Sequence, residues 1–234
     1  MTTLLAAGIQ IHDRSGGESS CIADNGFCPS WIGDNLDRYV DPLLQHAFLT
    51  VVSLAIGFAI SFALALLAHR RRWLIGPITQ ITGILYTLPS IAVFFLLLPL
   101  TGRGNTTAIV ALVAYTLLIV FRNVTAGLDN VPEETKDAGR GMGLTERQLL
   151  WRVELPLALP EILAGLRIAA TTTVGLATLA FFAGAGGLGE QIFADITFKS
   201  NVVTAGALAV LLAAILDASI LLLQRAVTPW ARAV

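Results

Sequence analysis

Long stretches without a charged residue constrain this chain more than any other feature of its sequence. Four runs of 18 to 28 residues contain no Asp, Glu, Lys or Arg, and a fifth contains only Asp217. A helix needs about 20 mainly apolar residues to cross a bilayer core about 30 Å thick. Only 13% of the residues are charged, against roughly 25% in soluble domains. We therefore predict an all-α membrane protein with five transmembrane helices, over about 46–68, 76–100, 104–121, 164–185 and 201–224.

The distribution of Lys and Arg between the predicted links indicates the orientation. Ten basic residues fall in the links after the first and third spans and in the tail, 225–234, whereas four fall on the other side. Basic residues are enriched in cytoplasmic links, so we expect the N-terminus outside and the C-terminus in the cytoplasm of a multi-pass protein of the cell (inner or plasma) membrane. The net charge of −1 leaves no basic excess for binding nucleic acid. No basic region precedes the apolar stretch 4–11, so no signal peptide is expected.

The segment 1–45 is expected to be extracytoplasmic. Apolar residues recur at helical spacing between Trp31 and Val40, with Ser30 as a candidate N-cap and Pro42 either ending the run or starting the first span. This amphipathic helix could lie on the outer leaflet or pack on the spans. Cys21 and Cys28 would face an oxidising compartment and could form a disulfide.

Three residues are candidates for a transport pathway or gate. Pro89 is expected to kink the second span and to free backbone carbonyls, either along a pathway or as ordinary helix packing. Asp217 lies deep in the fifth span, where a cation path or an inter-helix hydrogen bond would each explain a carboxylate. Arg167, at the start of the fourth span, is expected near the cytoplasmic interface, with a gating role as the alternative.

The longest link, 122–156, is predicted to form two short helices. A proline followed by two glutamates at 132–134 indicates a helix start, and the glycines of 139–143 indicate its end. Thr145 and Gln148 form a capping-box pair that would open the second helix. That helix is predicted over 146–153, ending at a Leu-Pro dipeptide. The link has five basic and six acidic residues, so a protein-docking role is favoured over DNA binding.

The second half of this link resembles the EAA motif of ABC-importer permeases. That motif reads Glu-Ala-Ala, three residues, Gly, nine residues, Ile, one residue, Leu-Pro. The matching residues here are Asp137, Ala138, Gly139, Gly143, Val153, Leu155 and Pro156. Asp137, Gly139 and Val153 depart from the motif, but the charge and the apolar character are kept. The resemblance implies a coupling loop that seats on a cytoplasmic ATPase subunit, so that ATP hydrolysis drives alternating access in a type I importer.

Further stretches resemble the quaternary-amine permeases that carry glycine betaine, carnitine, choline or also proline. These stretches are 87–90, 122–127, 138–143, 156–167 and 184–189, and the resemblance covers roughly 45–229. It implies the permease subunit of an osmoprotectant importer. Its expected partners are ABC ATPase subunits, an extracytoplasmic solute-binding protein and a second permease subunit, either the same chain or a homologue.

Two other functions stay open at this stage. A permease of a methionine or other amino-acid ABC importer is the alternative within the same class. A stand-alone secondary transporter or channel is more remote. That class would predict inverted repeats and ion-coupling residues in mid-span, of which only Asp217 is seen, and it would give the long link no purpose.

No pattern in the sequence indicates an enzyme, a cofactor or a metal site. A phosphate-binding GxxxxGK[ST] loop is absent, so ATP hydrolysis is expected on a separate subunit. Gly184-x-Gly186-x-x-Gly189 fits a dinucleotide pattern but lacks the strand and helix which that pattern requires. We instead expect 184–198 to be a flexible outer loop near the docking site of a solute-binding protein. Gly187, Gly189 and Glu190 are the candidate residues there, with ordinary solvated charges as the alternative.

Overall fold

The computed structural model describes residue 22 and residues 25–232, which contain helices and no strand. From Pro29 onward the α-helices, numbered α1 to α10, are Pro29–Asp34, Val40–Arg70, Ile75–Thr87, Ser90–Thr101, Asn105–Asp129, Glu133–Gly141, Glu146–Leu149, Leu155–Ala177, Leu188–Ala194 and Lys199–Val227. A five-residue π turn, Leu150–Glu154, joins α7 to α8. The prediction of an all-α chain is confirmed within the described residues.

Within the described residues, three helices are long and apolar enough to cross a bilayer. They are α2 with the turn that precedes it, α5 and α10. Helices α3 and α4 meet the same criterion together, but a bend of 99° between them makes them either one broken span or a re-entrant loop. Helix α8 is not among the helices that meet it. The number of five spans therefore stays a prediction.

The central helix of the bundle is α5. It packs against α2, α3, α4 and α8, while α10 packs on α8. Small residues bring these helices close together: a Cβ atom at Gly165 of α8 would overlap the side chain of Asn123 on α5. Such close approach is the expected mode of packing between membrane helices, because lipid is as apolar as their side chains.

The bundle has two ends that differ in structure. We call the end that carries α6, α7 and the π turn the motif end, and the end that carries α1 and α9 the opposite end. Helix α2 runs from the opposite end to the motif end. The buried side chains of α10 lie between Ser200 and Ala209, near the opposite end, and its remaining length is more open. One face of α8 and α10 is therefore uncovered in the single chain.

The N-terminal segment contains a helix of only six residues, α1. Cys28 is its N-cap residue, so the prediction of Ser30 as the cap is wrong. Pro42 lies in the first turn of α2 and starts that helix, where a proline is tolerated because the N–H it lacks would be unpaired. Cys28 is disulfide-bonded, whereas Cys21 lies outside the described residues, so their pairing stays a prediction.

This segment contacts the start of α10. The Trp31 ring meets the Phe198 ring edge-on, with 4.7 Å between the ring centroids. The Tyr39 hydroxyl donates a hydrogen bond of 2.6 Å to Oδ1 of Asn201. These contacts favour packing on the helices over a position on the lipid surface.

Candidate functional site

The link that carries the motif begins later in the chain than the sequence suggests. Helix α5 continues to Asp129, so Arg122 lies on this helix and not in a link. Helix α6 begins at Glu133, directly after an extended Pro132, as predicted. Extension of α5 by two turns therefore places the motif directly below the central helix of the bundle.

Two positions of the EAA-like motif require glycine, each for a different structural reason. Gly139 is buried, and a Cβ atom there would lie 2.6 Å from Cδ1 of Leu149, with a Val153 methyl at 3.9 Å. Gly143 is exposed and has φ of +83°, a conformation that L-residues with a Cβ disfavour. Gly139 thus allows α6 to lie against α7, and Gly143 allows the turn between them.

The second helix of the motif does not end where we predicted. Thr145 and Gln148 form the predicted capping box at the start of α7. The chain then continues through the π turn into α8 without a break, and Pro156 is the second residue of α8. Pro156 has no backbone N–H to donate. The first turn of a helix tolerates such a residue, and so does the wider π turn before it. The motif is therefore joined rigidly to α8, and the predicted helix end at Leu155-Pro156 is wrong.

Arg140 links the two short helices through charged hydrogen bonds. Its Nη1 donates to Oε1 of Glu133 at 2.9 Å and to Oδ1 of Asp137 at 3.0 Å, and its Nε donates to Oε1 of Glu146 at 3.3 Å. Hydrogen bonds from Arg140 and then Lys136 lower the pKa of Glu133 below its ordinary value, and the same acids raise the pKa of Arg140. Asp137, the leading residue of the motif, is thus an exposed partner of Arg140.

An exposed apolar and basic surface covers the motif end. The Met142 side chain is 75% exposed and that of Trp151 is 53% exposed. Ala138 is exposed as well, whereas Leu155 is buried. An open cleft of about 490 Å³ is lined by Thr145, Arg147, Gln148, Trp151 and Arg152. Met, Trp and Arg are enriched at protein–protein interfaces, so this surface has the composition of a docking site.

A buried contact that sequence reasoning missed holds the π turn. Oε2 of Glu154 lies 2.8 Å from Nε2 of His69 at the end of α2. The Glu154 residue is only 4% exposed. Its position between the apolar residues Val153 and Leu155 was the available signal, since a charged side chain that is buried among apolar ones requires a partner. Nothing in the sequence pointed to His69 as that partner.

Arg167 and Asp217 form an ion pair between α8 and α10. Nε and Nη2 of Arg167 donate to Oδ1 and Oδ2 of Asp217, each at 2.8 Å. Of the two explanations left open for Asp217, the structure contains the inter-helix hydrogen bond. Arg167 is the thirteenth residue of α8 and lies in the interior of that helix, and its predicted position near the cytoplasmic interface stays a prediction.

Pro89 makes a sharper turn than the predicted kink. Leu88 and Pro89 are both extended, as expected for a proline and the residue before it, and α3 and α4 meet at 99°. The Tyr115 hydroxyl of α5 donates a hydrogen bond of 2.7 Å to the carbonyl of Leu88. A carbonyl freed by the break thus bonds to protein, as backbone at membrane depth requires.

The predicted outer loop, 184–198, contains a helix. Helix α9 packs on α10, so the description of this stretch as a flexible loop is wrong. Gly187 and Gly189 are buried, and only Glu190 of the three candidate docking residues is exposed. A Cβ atom at Gly189 would overlap the carbonyl oxygen of Thr178. These two glycines therefore serve packing and cannot themselves contact a partner.

In this helical bundle, α8 continues without a break from an exposed two-helix motif at one end. This arrangement defines the class of ABC-importer permeases. The family described as "Binding-protein-dependent transport system inner membrane component" matches residues 55–233, and this chain belongs to it. No cluster of three or more metal-ligating residues occurs in the part of the chain that the structure describes.

Relatives and solved structures agree with this assignment. The glycine betaine/carnitine/choline transport system permease protein OpuCB of Bacillus subtilis (strain 168) is 34% identical over 187 residues, which are 79% of this chain and 86% of that protein. The osmoprotectant import permease protein OsmW of Salmonella typhimurium is 36% identical over 203 residues, 84% of this chain and 94% of the relative. A chain of the inward-facing MetNI methionine ABC transporter is 26% identical, with a TM-score of 0.74 over 81% of this chain and 96% of that one.

Proposed function

We propose that this chain is the membrane permease of an ABC importer for quaternary ammonium osmoprotectants, namely glycine betaine, carnitine and choline, with proline as a further candidate substrate. The observation that carries the proposal is the match of the EAA-like motif to an exposed helical element fused to α8, in a chain whose relatives are named for these solutes. ATP hydrolysis belongs to separate cytoplasmic ATPase subunits, and an extracytoplasmic solute-binding protein delivers the solute. A second permease subunit completes the pathway.

The motif end is the coupling surface in this proposal. The ATPase subunit contacts Met142, Ala138 and Trp151, which are exposed apolar residues beside Arg147 and Arg152. The π turn makes the motif continuous with α8, and the Glu154–His69 contact ties it to α2. Movement of the ATPase subunits would therefore move two long helices together, which is the rigid-body step that alternating access requires.

The chain crosses the membrane five times, with the motif end in the cytoplasm. Helix α8 supplies the fourth of the five spans in chain order: its 23 residues are long enough, and it packs between α5 and α10, two helices that meet the criterion for a span. In this arrangement the polar residues of α8 face the pathway; they are Glu161, Arg167 and the threonines at 171–173. Pro89, Arg167 and Asp217 contribute to that pathway or its gate, and Glu190 at the opposite end contributes to docking of the binding protein.

Uptake by the complete transporter tests this function. Membrane vesicles would contain this chain together with its ATPase subunits and its binding protein. Uptake of labelled glycine betaine would then be measured with and without ATP inside the vesicles. We expect ATP-dependent uptake. Transport by this chain alone, driven by an ion gradient, would overturn the proposal.

Two substitutions at one position test the coupling surface. Met142→Asp places a charge on an exposed apolar contact without disturbing the fold, so ATP-dependent uptake is expected to fall sharply and ATPase subunits to dissociate during purification. Met142→Leu keeps the apolar character and is expected to retain both. Equal uptake by the two variants would exclude Met142 from the ATPase interface.

The similarity to the methionine transporter chain favours one second candidate, an amino-acid importer. An arm of the same experiment with labelled methionine separates the two. ATP-dependent uptake of methionine, without uptake of glycine betaine, would keep the mechanism and reject the osmoprotectant substrate.

A further inference from the structure

The Arg167–Asp217 pair lies where charges are costly unless they serve a purpose. Arg167 is twelve residues into α8, about 18 Å along the helix, and Asp217 is ten residues, about 15 Å, before the end of α10. Both positions fall within a hydrocarbon core about 30 Å thick in the five-span arrangement. Charged side chains at such depths face a bundle interior or a water-filled cavity, and they mark substrate pathways.

The pair is not sealed inside the chain. The side chains of Arg167 and Asp217 are 30% and 32% exposed. They border an open cleft of about 270 Å³, whose other lining residues are Ala164, Ile168 and Thr171. This volume is near the lower bound of about 300 Å³ for small-molecule sites. A small solute can therefore reach both charges at once.

The geometry of the pair defines which solute would replace it. The guanidinium of Arg167 binds the Asp217 carboxylate through two parallel hydrogen bonds, and this planar fork binds other carboxylates in the same way. A solute with a carboxylate and a quaternary ammonium can take the place of Asp217 on Arg167 while its cation neutralises the freed Asp217. A solute with the cation alone leaves the partly buried guanidinium of Arg167 without a carboxylate partner, which is unfavourable.

We propose that Arg167 and Asp217 form a transient recognition site for zwitterionic quaternary amines, the class of glycine betaine and carnitine, and that the two side chains pair with each other when the site is empty. The exchange breaks the Arg167–Asp217 pair and forms two contacts with the solute, so part of the binding energy offsets the lost pair and the solute is bound weakly enough to leave. This inference rests on the proposed function and assigns the selective step within it to α8 and α10.

Uptake of two solutes by the complete transporter tests the site. In Arg167→Gln/Asp217→Asn, amides replace both charged groups and keep hydrogen bonding between the helices. We expect uptake of glycine betaine to fall by about tenfold or more, since a site built for a carboxylate loses its charged partner. Uptake of choline, which has no carboxylate, should fall much less, and ATPase activity stimulated by the loaded binding protein should persist.

A second Arg–Asp pair provides the matched control. Nη1 of Arg72 lies 2.7 Å from Oδ1 of Asp129 at the motif end, away from the cleft. Arg72→Gln/Asp129→Asn makes the same chemical change there, and it should leave the ratio of glycine betaine to choline uptake at the wild-type value.

Labelling of a cysteine in the cleft gives a readout that is independent of the binding protein. A small water-soluble thiol reagent should modify Thr171→Cys, and glycine betaine should slow this reaction. The same protection should be lost when Arg167→Gln/Asp217→Asn is added. Three results would each overturn the proposed site. The double variant could take up glycine betaine at the wild-type rate, glycine betaine could protect the cysteine as well as before, or uptake of both solutes could fall equally together with the ATPase activity. Failure of the wild-type transporter to carry any quaternary amine would instead reject the proposed function, before any variant is made.

Discussion

Glu154 and His69 connect the motif to the first long helix of the bundle. The Glu154 carboxylate is buried in the π turn, and the His69 ring at the end of α2 lies 2.8 Å from it. A movement imposed on the motif is therefore passed to α2 as well as to α8. Glu154 is only 4% exposed, so removal of the His69 ring leaves a buried carboxylate without this contact.

Removal of the imidazole should loosen the motif. Oε2 of Glu154 accepts no hydrogen bond of good geometry within the described residues, so His69→Leu removes a close electrostatic contact rather than a well-formed hydrogen bond, at a cost of about 1 kcal/mol. We expect the opening free energy of the π turn, measured by amide hydrogen exchange, to fall by that amount. Replacement of both groups by apolar ones can be nearly neutral, so His69→Leu/Glu154→Leu should recover most of the loss. Additive losses in the double variant would show that the contact carries no stability.

Gly189→Ala should prevent correct packing of α9. The added methyl would overlap the Thr178 carbonyl oxygen, which belongs to the backbone and cannot move aside as a flexible side chain can. Thermal stability of the purified chain is expected to decrease by several degrees, in line with overpacking costs of about 1–3 kcal/mol. Gly206→Ala on α10 is the control, because no atom lies within 4 Å of the added Cβ. Equal stability of the two variants would contradict the packing of α9.

Gly143→Ala should strain the turn between α6 and α7. With φ of +83°, the substitution costs about 1–2 kcal/mol. Gly141→Ala, two residues earlier, lies at the end of α6 with open space around it, and it should be neutral or slightly stabilising. Local amide exchange in α6 measures both effects. If the two alanine variants exchange alike, the turn does not require a left-handed residue at 143.

Acid should weaken the link between α6 and α7. The pKa of Glu133 is lowered in the folded chain by hydrogen bonds from Arg140 and Lys136. A carboxyl group with a lowered pKa stabilises the folded state above its ordinary value of 4.5, and this contribution is lost as the pH falls through the lower, folded value. The protection factor of the α6 amides, which corrects the exchange rate for the intrinsic pH dependence of exchange, should therefore fall below pH 4.5, and Glu133→Gln should remove this part of the pH dependence. A Glu133→Gln variant with an unchanged acid profile would contradict the assignment to Glu133.

The motif and most of the helices could be predicted because their signals are local. Runs with at most one charged residue mark α2, α5 and α10, and the capping pair of Thr145 and Gln148 was predicted as it occurs. Helix ends were less predictable. Helix α5 extends past Arg122, and α8 begins at a Leu-Pro that was expected to end a helix, because packing against neighbours outweighs local preference at these boundaries.

The sequence by itself determined an all-helical chain with the EAA-like motif, since apolar runs, caps and motif spacing depend only on neighbouring residues. Only the tertiary structure decided which distant residues meet. Arg167 reaches Asp217 because α8 packs against α10, and Glu154 reaches His69 because the turn before α8 lies beside the end of α2. Gly189 lies against Thr178 because the chain folds back after α8 and places α9 on the end of that helix. Helix periodicity assigns a residue to a face, but the rotation and depth of each helix against its neighbours are fixed by packing over the whole bundle.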